Sequence, residues 1–141
     1  MKKIKLLFFL LVVFISGCSV NNIIDPYYSD KPFNFYGLDS SNPNIVAWGR
    51  FNKPYFELSV ENKSNKPIGI TYFLDLFTLF THDGKEYILE KQDITAYPSA
   101  NYINPNDEIW LKLILPDNIQ ENNTNKVVAR FGFDAHIILK K

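Results

Sequence analysis

Downstream of Val46 the chain alternates apolar and polar side chains with a period of two, the pattern of strands with one face packed and the other wet. In Tyr55–Glu61, Phe56, Leu58 and Val60 share one face while Glu57, Ser59 and Glu61 share the other. The polar stretch from Asn62 to Pro67 turns that strand. A further strand is expected over Ile68–Thr81, with Ile68, Ile70, Tyr72, Leu74 and Leu76 in one phase. Phe77 and Leu79 fall in the opposite phase, which calls for a bulge or a crossing between sheets. Helix is the alternative for Phe73–Phe80, but the flanking β-branched and aromatic residues favour strand.

His82-Asp83-Gly84-Lys85 is a hairpin signal, because Asp-Gly suits a turn requiring positive φ, and Glu86–Glu90 is its return strand. After a loop with Tyr97-Pro98 and a turn at Asn104-Pro105-Asn106-Asp107, Glu108–Leu115 places Ile109, Leu111, Leu113 and Leu115 inward. Pro116 stops this strand, and Asp117–Lys126 reads as an exposed loop. Val127–Leu139 alternates again, with Val127, Ala129, Phe131 and Phe133 on one face and a bend at Gly132-Phe133-Asp134. Short strands at this spacing, with polar turns and no convincing amphipathic helix, imply an all-β, antiparallel sandwich over residues 45–141.

The first residues follow a different pattern. Lys2, Lys3 and Lys5 precede an apolar run, Leu6–Ile15, as in an export leader. The run is shorter than the ~20 apolar residues of a transmembrane helix. It ends in Ile15-Ser16-Gly17-Cys18, which resembles the lipobox of bacterial lipoproteins. That resemblance implies recognition of Ile15, Ser16 and Gly17 by the signal peptidase and a leader spanning 1–17. It also implies a Cys18 thiolate that accepts diacylglycerol, so the implied attachment is a covalent lipid and no cofactor is expected. Cys18 is the single cysteine of the chain, so it has no intramolecular disulfide partner. Two or more acyl chains give the stable membrane anchoring that one chain does not.

In Gram-negative lipoproteins an aspartate after the lipidated cysteine signals inner-membrane retention, and here the residue is Ser19. The resemblance therefore implies the outer membrane, on its periplasmic or outer face, or the outer face of the cell membrane where there is one membrane only. A second resemblance lies in Glu61-Asn62-Lys63-Ser64, Phe77-Thr78-Leu79, Asp83-Gly84-Lys85-Glu86-Tyr87 and Ile103-Asn104-Pro105-Asn106-Asp107. In that order these segments are similar to immunoglobulin-like domains of uncharacterised bacterial lipoproteins, with Asn106 where glycine is usual. The implied fold is a single immunoglobulin-like β-sandwich of roughly six to eight strands, and it brings no catalytic residues.

The leader carries three of the 15 Lys+Arg and none of the 15 Asp+Glu, leaving residues 18–141 at about −3. Scattered charge of that size excludes a strong electrostatic footprint for nucleic acid and a polybasic membrane surface. Aromatic residues are 16% of the chain, enough for a bulky core without disulfides. Residues 18–44 read as the lipidated terminus and a tether, rich in Asn, Ser, Asp and Pro. Within it, Tyr27, Tyr28, Phe33, Phe35 and Tyr36 are odd for a solvated linker. Either they pack back on the domain or contribute a first irregular strand, or they form a recognition segment for a partner.

Signatures of catalysis are missing: no Gly-x-Ser-x-Gly elbow, no His-Glu-x-x-His pair and no phosphate-cradling glycine loop occur. His82 and His136 read as structural or solvated, and no metal site is expected. Asp83 and Asp107 read as turn stabilisers, while Asp75 is odd in an apolar strand. Trp48, Trp110 and Ile114 are the candidate binding surface together with Tyr27, Tyr28 and Tyr36, because Trp and Tyr dominate interface hot spots. Trp110 alternates out of phase with Ile109, Leu111 and Leu113, so one sheet face is expected to expose Trp110 beside Ile114, unless both sheet faces are buried. The expected function is a non-catalytic, membrane-anchored module that binds an envelope protein. The alternatives are an accessory outer-membrane subunit of a secretion or other envelope machine, and a carbohydrate-binding module or small hydrolase.

Overall fold

The computed structural model describes residues 31–71, 74–92 and 101–141. Its strands are β1 (Phe35–Leu38), β2 (Ile45–Asn52), β3 (Tyr55–Asn62), β4 (Ile68–Gly69), β5 (Leu76–Thr81), β6 (Glu86–Lys91), β7 (Tyr102–Ile103), β8 (Glu108–Ile114), β9 (Thr124–Phe131) and β10 (Ala135–Lys140). Eight of them close in the order β1-β10-β9-β5-β6-β8-β3-β2, every neighbouring pair antiparallel. β4 and β7 form a separate two-stranded ribbon.

The chain is thus all-β as expected, but its wall is a closed barrel rather than a sandwich of two open sheets. Two four-stranded halves, β10-β9-β5-β6 and β1-β2-β3-β8, meet at two short seams. At one seam Glu90 pairs with Ile114 and Lys91 with Leu113. At the other Tyr36 pairs with Lys140, and Asp39 bridges to Ile137. Period-two alternation states which side chains face inward, and a sandwich and a barrel share that pattern. Only the seam hydrogen bonds distinguish them.

The interior is filled by side chains from every wall strand. Phe35, Phe51 and Phe56 meet with ring centroids 5.4–5.8 Å apart, and Phe77 lies edge-on to Phe131 at 5.6 Å. Leu58, Val60, Leu79, Leu113, Val127, Ala129, Ile137 and Leu139 complete the core. A Cβ on Gly49 would stand 2.3 Å from the Phe56 ring, so that ring reaches its place only because β2 has no side chain there.

Several sequence expectations change. The strand expected over Ile68–Thr81 is two strands in different sheets, so the phase change before Phe77 is a change of sheet, and Leu76 is exposed while Phe77 and Leu79 are buried. The loop expected over Asp117–Lys126 buries Ile119, takes one 3-10 turn at Glu121–Asn123, and yields to β9 at Thr124. Phe133, expected on the inward face with Phe131, is 97% exposed, because Gly132 turns the chain at φ 51°. The hairpin at Asp83-Gly84 joins β5 to β6, with Gly84 at φ 82°. Asn106 takes φ 66°, the left-handed conformation for which glycine is the usual residue.

The folded unit also reaches into the stretch read as tether. β1 pairs with β2 from Phe35↔Gly49 to Leu38↔Val46, and Phe35 is fully buried. Its alternation of buried Phe35 and Gly37 with exposed Tyr36 and Leu38 is a strand pattern too short to stand out among Asn, Ser and Pro.

Candidate functional site

The outer face of β1-β2-β3-β8 gathers the aromatic residues singled out from the sequence. Registers Tyr36↔Trp48, Trp48↔Ser59 and Ser59↔Trp110 put Tyr36, Trp48, Ser59 and Trp110 in one row across four strands. At about 4.8 Å per strand the row spans roughly 14 Å. Tyr36 is half exposed, and its ring lies 6.0 Å from that of Trp48. Trp48 and Trp110 are half-buried. Ile114 shares this face and is exposed, but it sits four residues further along β8, about 13 Å from Trp110, with Lys112 between them.

Trp110 is neither a core residue nor an open one. Phe33, on the segment leading into β1, packs against it with centroids 5.3 Å apart. The Arg50 guanidinium lies 4.6 Å from the Phe33 ring and 5.6 Å from the Trp110 ring. Arg50 Nη1 also donates to the Lys31 carbonyl at 2.8 Å, tying the entering chain to the barrel wall. Lys31 and Phe33 therefore lie against outer side chains of β2 and β8, while the Asn34 N–H donates to the Gly49 carbonyl at 3.1 Å and extends the β1–β2 pairing.

Beneath them is a polar cluster. Arg50 Nε donates to Glu57 Oε2 at 2.6 Å, Asn52 Nδ2 donates to Glu57 Oε1 at 2.9 Å, and Lys112 Nζ stands 4.0 Å from the same Oε1. The Ser59 hydroxyl donates to Glu108. Glu57 and Ser59, read from alternation as solvent-facing, are buried outside the wall rather than inside it. Lys31 and Phe33, more than 20 positions before Glu57, cover its partner Arg50, and Ser59 lies between Trp48 and Trp110 in the row; local periodicity carries no sign of either. The pair itself left a signal: β2 and β3 turn at Lys53-Pro54, which sets Arg50 opposite Glu57.

Among the described residues three carboxylates elsewhere are perturbed: exposed Asp83, held low by hydrogen bonds from Thr81 and Lys85, and the more buried Asp39 and Asp75. Burial works to raise Asp39, but hydrogen bonds from the Ser41 hydroxyl and from the His136, Asn42 and Ser41 amides outweigh it and hold the carboxyl below its ordinary value. Burial pushes Asp75 up, opposed in part by the Thr71 amide and by Lys91 at 3.5 Å. Asp75, odd in the sequence, is thus a desolvated carboxylate in the loop before β5, and its partners belong to loop and strand ends. Among the described residues no group of three His, Cys, Asp or Glu is placed to hold a metal. His82 and His136 lie apart, at the β5–β6 hairpin and on the outer face of β10.

Ile15, Ser16, Gly17, Cys18, Tyr27 and Tyr28 lie outside the described residues. No family model, no curated protein and no solved structure matches the chain.

Proposed function

We propose that this chain is the precursor of a bacterial lipoprotein, cut before Cys18 and lipidated there, whose barrel acts as a non-catalytic module that binds another protein of the cell envelope. The anchor rests on Lys2, Lys3 and Lys5, the apolar run and Ile15-Ser16-Gly17-Cys18. Ser19 favours the outer membrane. The binding role rests on one observation, the row Tyr36, Trp48 and Trp110 on the outer wall. Aromatic residues of this kind supply large contact area at low entropic cost. Twelve residues separate Cys18 from Lys31, a span of at most about 45 Å, so the module works close to its bilayer.

Labelled palmitate fed to cells should mark the wild type and not Cys18→Ala, and label retained in the variant would refute the anchor. A photo-crosslinking residue at Tyr36 should capture one reproducible envelope protein that the same residue at Asn125 does not. Equal capture at both positions removes the aromatic row as the docking surface.

A carbohydrate-binding role has one observation in its favour. Asn118, Gln120, Asn122 and Asn123 line an open cleft of about 470 Å³, and carboxamides suit sugar hydroxyls. A sugar-dependent rise in melting temperature that is lost in Asn122→Ala would move weight to that reading.

A further inference from the structure

On the other half of the barrel the outward side chains of β6, β5, β9 and β10 form three rows across the strands. Pairings Thr78↔Ile88, Thr78↔Val128 and Val128↔Ile138 set Ile88, Thr78, Val128 and Ile138 in the middle row. Pairings Phe80↔Glu86, Phe80↔Lys126 and Lys126↔Lys140 give the row Glu86, Phe80, Lys126, Lys140. On the opposite flank, Leu76↔Arg130 and Arg130↔His136 continue from Glu90, two residues beyond Ile88, giving Glu90, Leu76, Arg130, His136.

The middle of this face is apolar and open. Ile88 is 70% exposed and Ile138 39%, and the shallow groove of about 250 Å³ beside them is lined by Leu76, Thr78, Phe80, Val128 and Ile138 together with Lys126, Arg130 and His136. The two outermost strands carry complementary chemistry at matching heights, acidic Glu86 on β6 against basic Lys140 on β10, and the Glu90 carboxylate against the hydrogen-bonding imidazole of His136. Because the wall is closed, none of its eight strands offers an open edge for strand addition.

We propose that this face is the interface of an isologous homodimer whose twofold axis runs parallel to the strands, between β5 and β9. Rotation about that axis lays β6 of one copy over β10 of the other and β5 over β9, and keeps each row at its own height. Ile88 then meets Ile138 of the second copy, and Thr78 meets Val128. Glu86 meets Lys140, Glu90 meets His136, and Lys126 covers the Phe80 ring as it already does within one copy, at 4.6 Å. An axis across the strands would instead set Glu86 over Glu90 and Lys126 over Arg130. Like charges facing one another disfavour that arrangement, so the charge pattern selects the first.

Four strands and three rows make a footprint of roughly 400 Å² per copy, below the ~800 Å² per partner of a standard interface. The dimer is therefore weak in free solution. Confinement to one bilayer, a clause that rests on the proposed anchor, raises the effective concentration enough to populate it.

The test co-expresses two differently tagged full chains, one Ile88→Cys and one Ile138→Cys, and treats intact cells with a short bismaleimide, with the wild type as the control for Cys18. The mixed pair should cross-link, whereas like pairs should not, because their side chains lie three strand spacings apart, about 14 Å. No mixed product, or equal product from like pairs, overturns the dimer. Glu86→Lys alone should abolish the product, and Glu86→Lys with Lys140→Glu in the same chain should restore it; failure of the swap to restore it also counts against the interface. Palmitate labelling of the same cells reads the anchor separately. Label on Cys18 without the mixed product removes the dimer alone, and the mixed product without label removes the anchor alone.

Discussion

Arg50 and Glu57 form an ion pair at 2.6 Å on the outside of the barrel wall, yet both side chains are more than nine-tenths buried. Phe33 and Trp110 shut out water above the pair, and Asn52 and Lys112 occupy the second carboxylate oxygen. Removing one partner leaves an uncompensated charge in a dry site. Glu57→Ala should therefore cost about 3–5 kcal/mol, read as a lowered midpoint in urea. Replacing both, Arg50→Met with Glu57→Leu, should cost less, since the buried guanidinium is not left behind and only the more exposed Lys112 and Asn52 lose their acceptor. Equal losses in the single and double variants would mean that packing rather than charge holds this site.

Phe33 fixes the entering chain by packing against Trp110 and Arg50. Phe33→Ala should free residues 31–34 while leaving the core intact, at a cost on the order of 1–2 kcal/mol. Acrylamide should then quench tryptophan fluorescence more strongly, and proteolysis near Lys31 should speed up. Unchanged quenching would show that the cover does not depend on this ring.

Asp39 and Asp75 should respond to pH with opposite sign. Asp39 has its folded pKa below the ordinary 3.8, so the native state prefers the ionised form. Its stabilisation is complete above 3.8 and is lost as pH falls through the folded value. Asp75 has its folded pKa above 3.8, so its contribution is favourable below 3.8 and is lost as pH rises through the folded value. At neutral pH, Asp39→Asn should lower the melting temperature and Asp75→Asn should leave it equal or higher. In acid both differences should shrink. A neutral-pH loss in Asp75→Asn that exceeds its loss in acid would mean that the Lys91 contact dominates over burial.

Two backbone positions should resist substitution for different reasons. Gly49→Ala drives a methyl into the Phe56 ring and should cost about 1–3 kcal/mol or more through overpacking. Asn106→Val forces a β-branched residue to φ 66° and should cost on the order of 1–2 kcal/mol, whereas Asn106→Gly should be near neutral. Urea midpoints separate these cases, and a neutral Gly49→Ala would show that the Phe56 ring has room to move.

Much of the wall is legible in the sequence. Phe56, Leu58, Val60, Ile109, Leu113, Val127, Ala129 and Phe131 all point inward as their alternation states, and the Asp83-Gly84 hairpin is where the turn chemistry puts it. Side-chain direction repeats every two residues along any extended backbone, so it is a local property that a sequence carries by itself. The failures share the opposite character. Phe133 left the core because one left-handed glycine reset the phase. Ile68 and Leu76, read as one strand, belong to two, and of the bulge or sheet crossing that the phase change at Phe77 called for, the fold takes the crossing. Glu57 is dry because its partner Arg50 is covered by Phe33 and Trp110, and Ser59 because it lies between Trp48 and Trp110.

For the candidate site, the sequence picked out Tyr36, Trp48 and Trp110 by residue type, and by phase in the case of Trp110, while tertiary pairing decided that the three form one row and that Ile114 stands apart. The same pairing placed Ile88 and Ile138, 50 residues apart, in a single row, and closed two half-walls into a barrel. Which strand lies beside which depends on contacts made between distant segments as the chain closes its loops. The sequence by itself determined that this is a β protein with a given inner face. Neighbourhood, closure and the character of the outer faces came only with the fold.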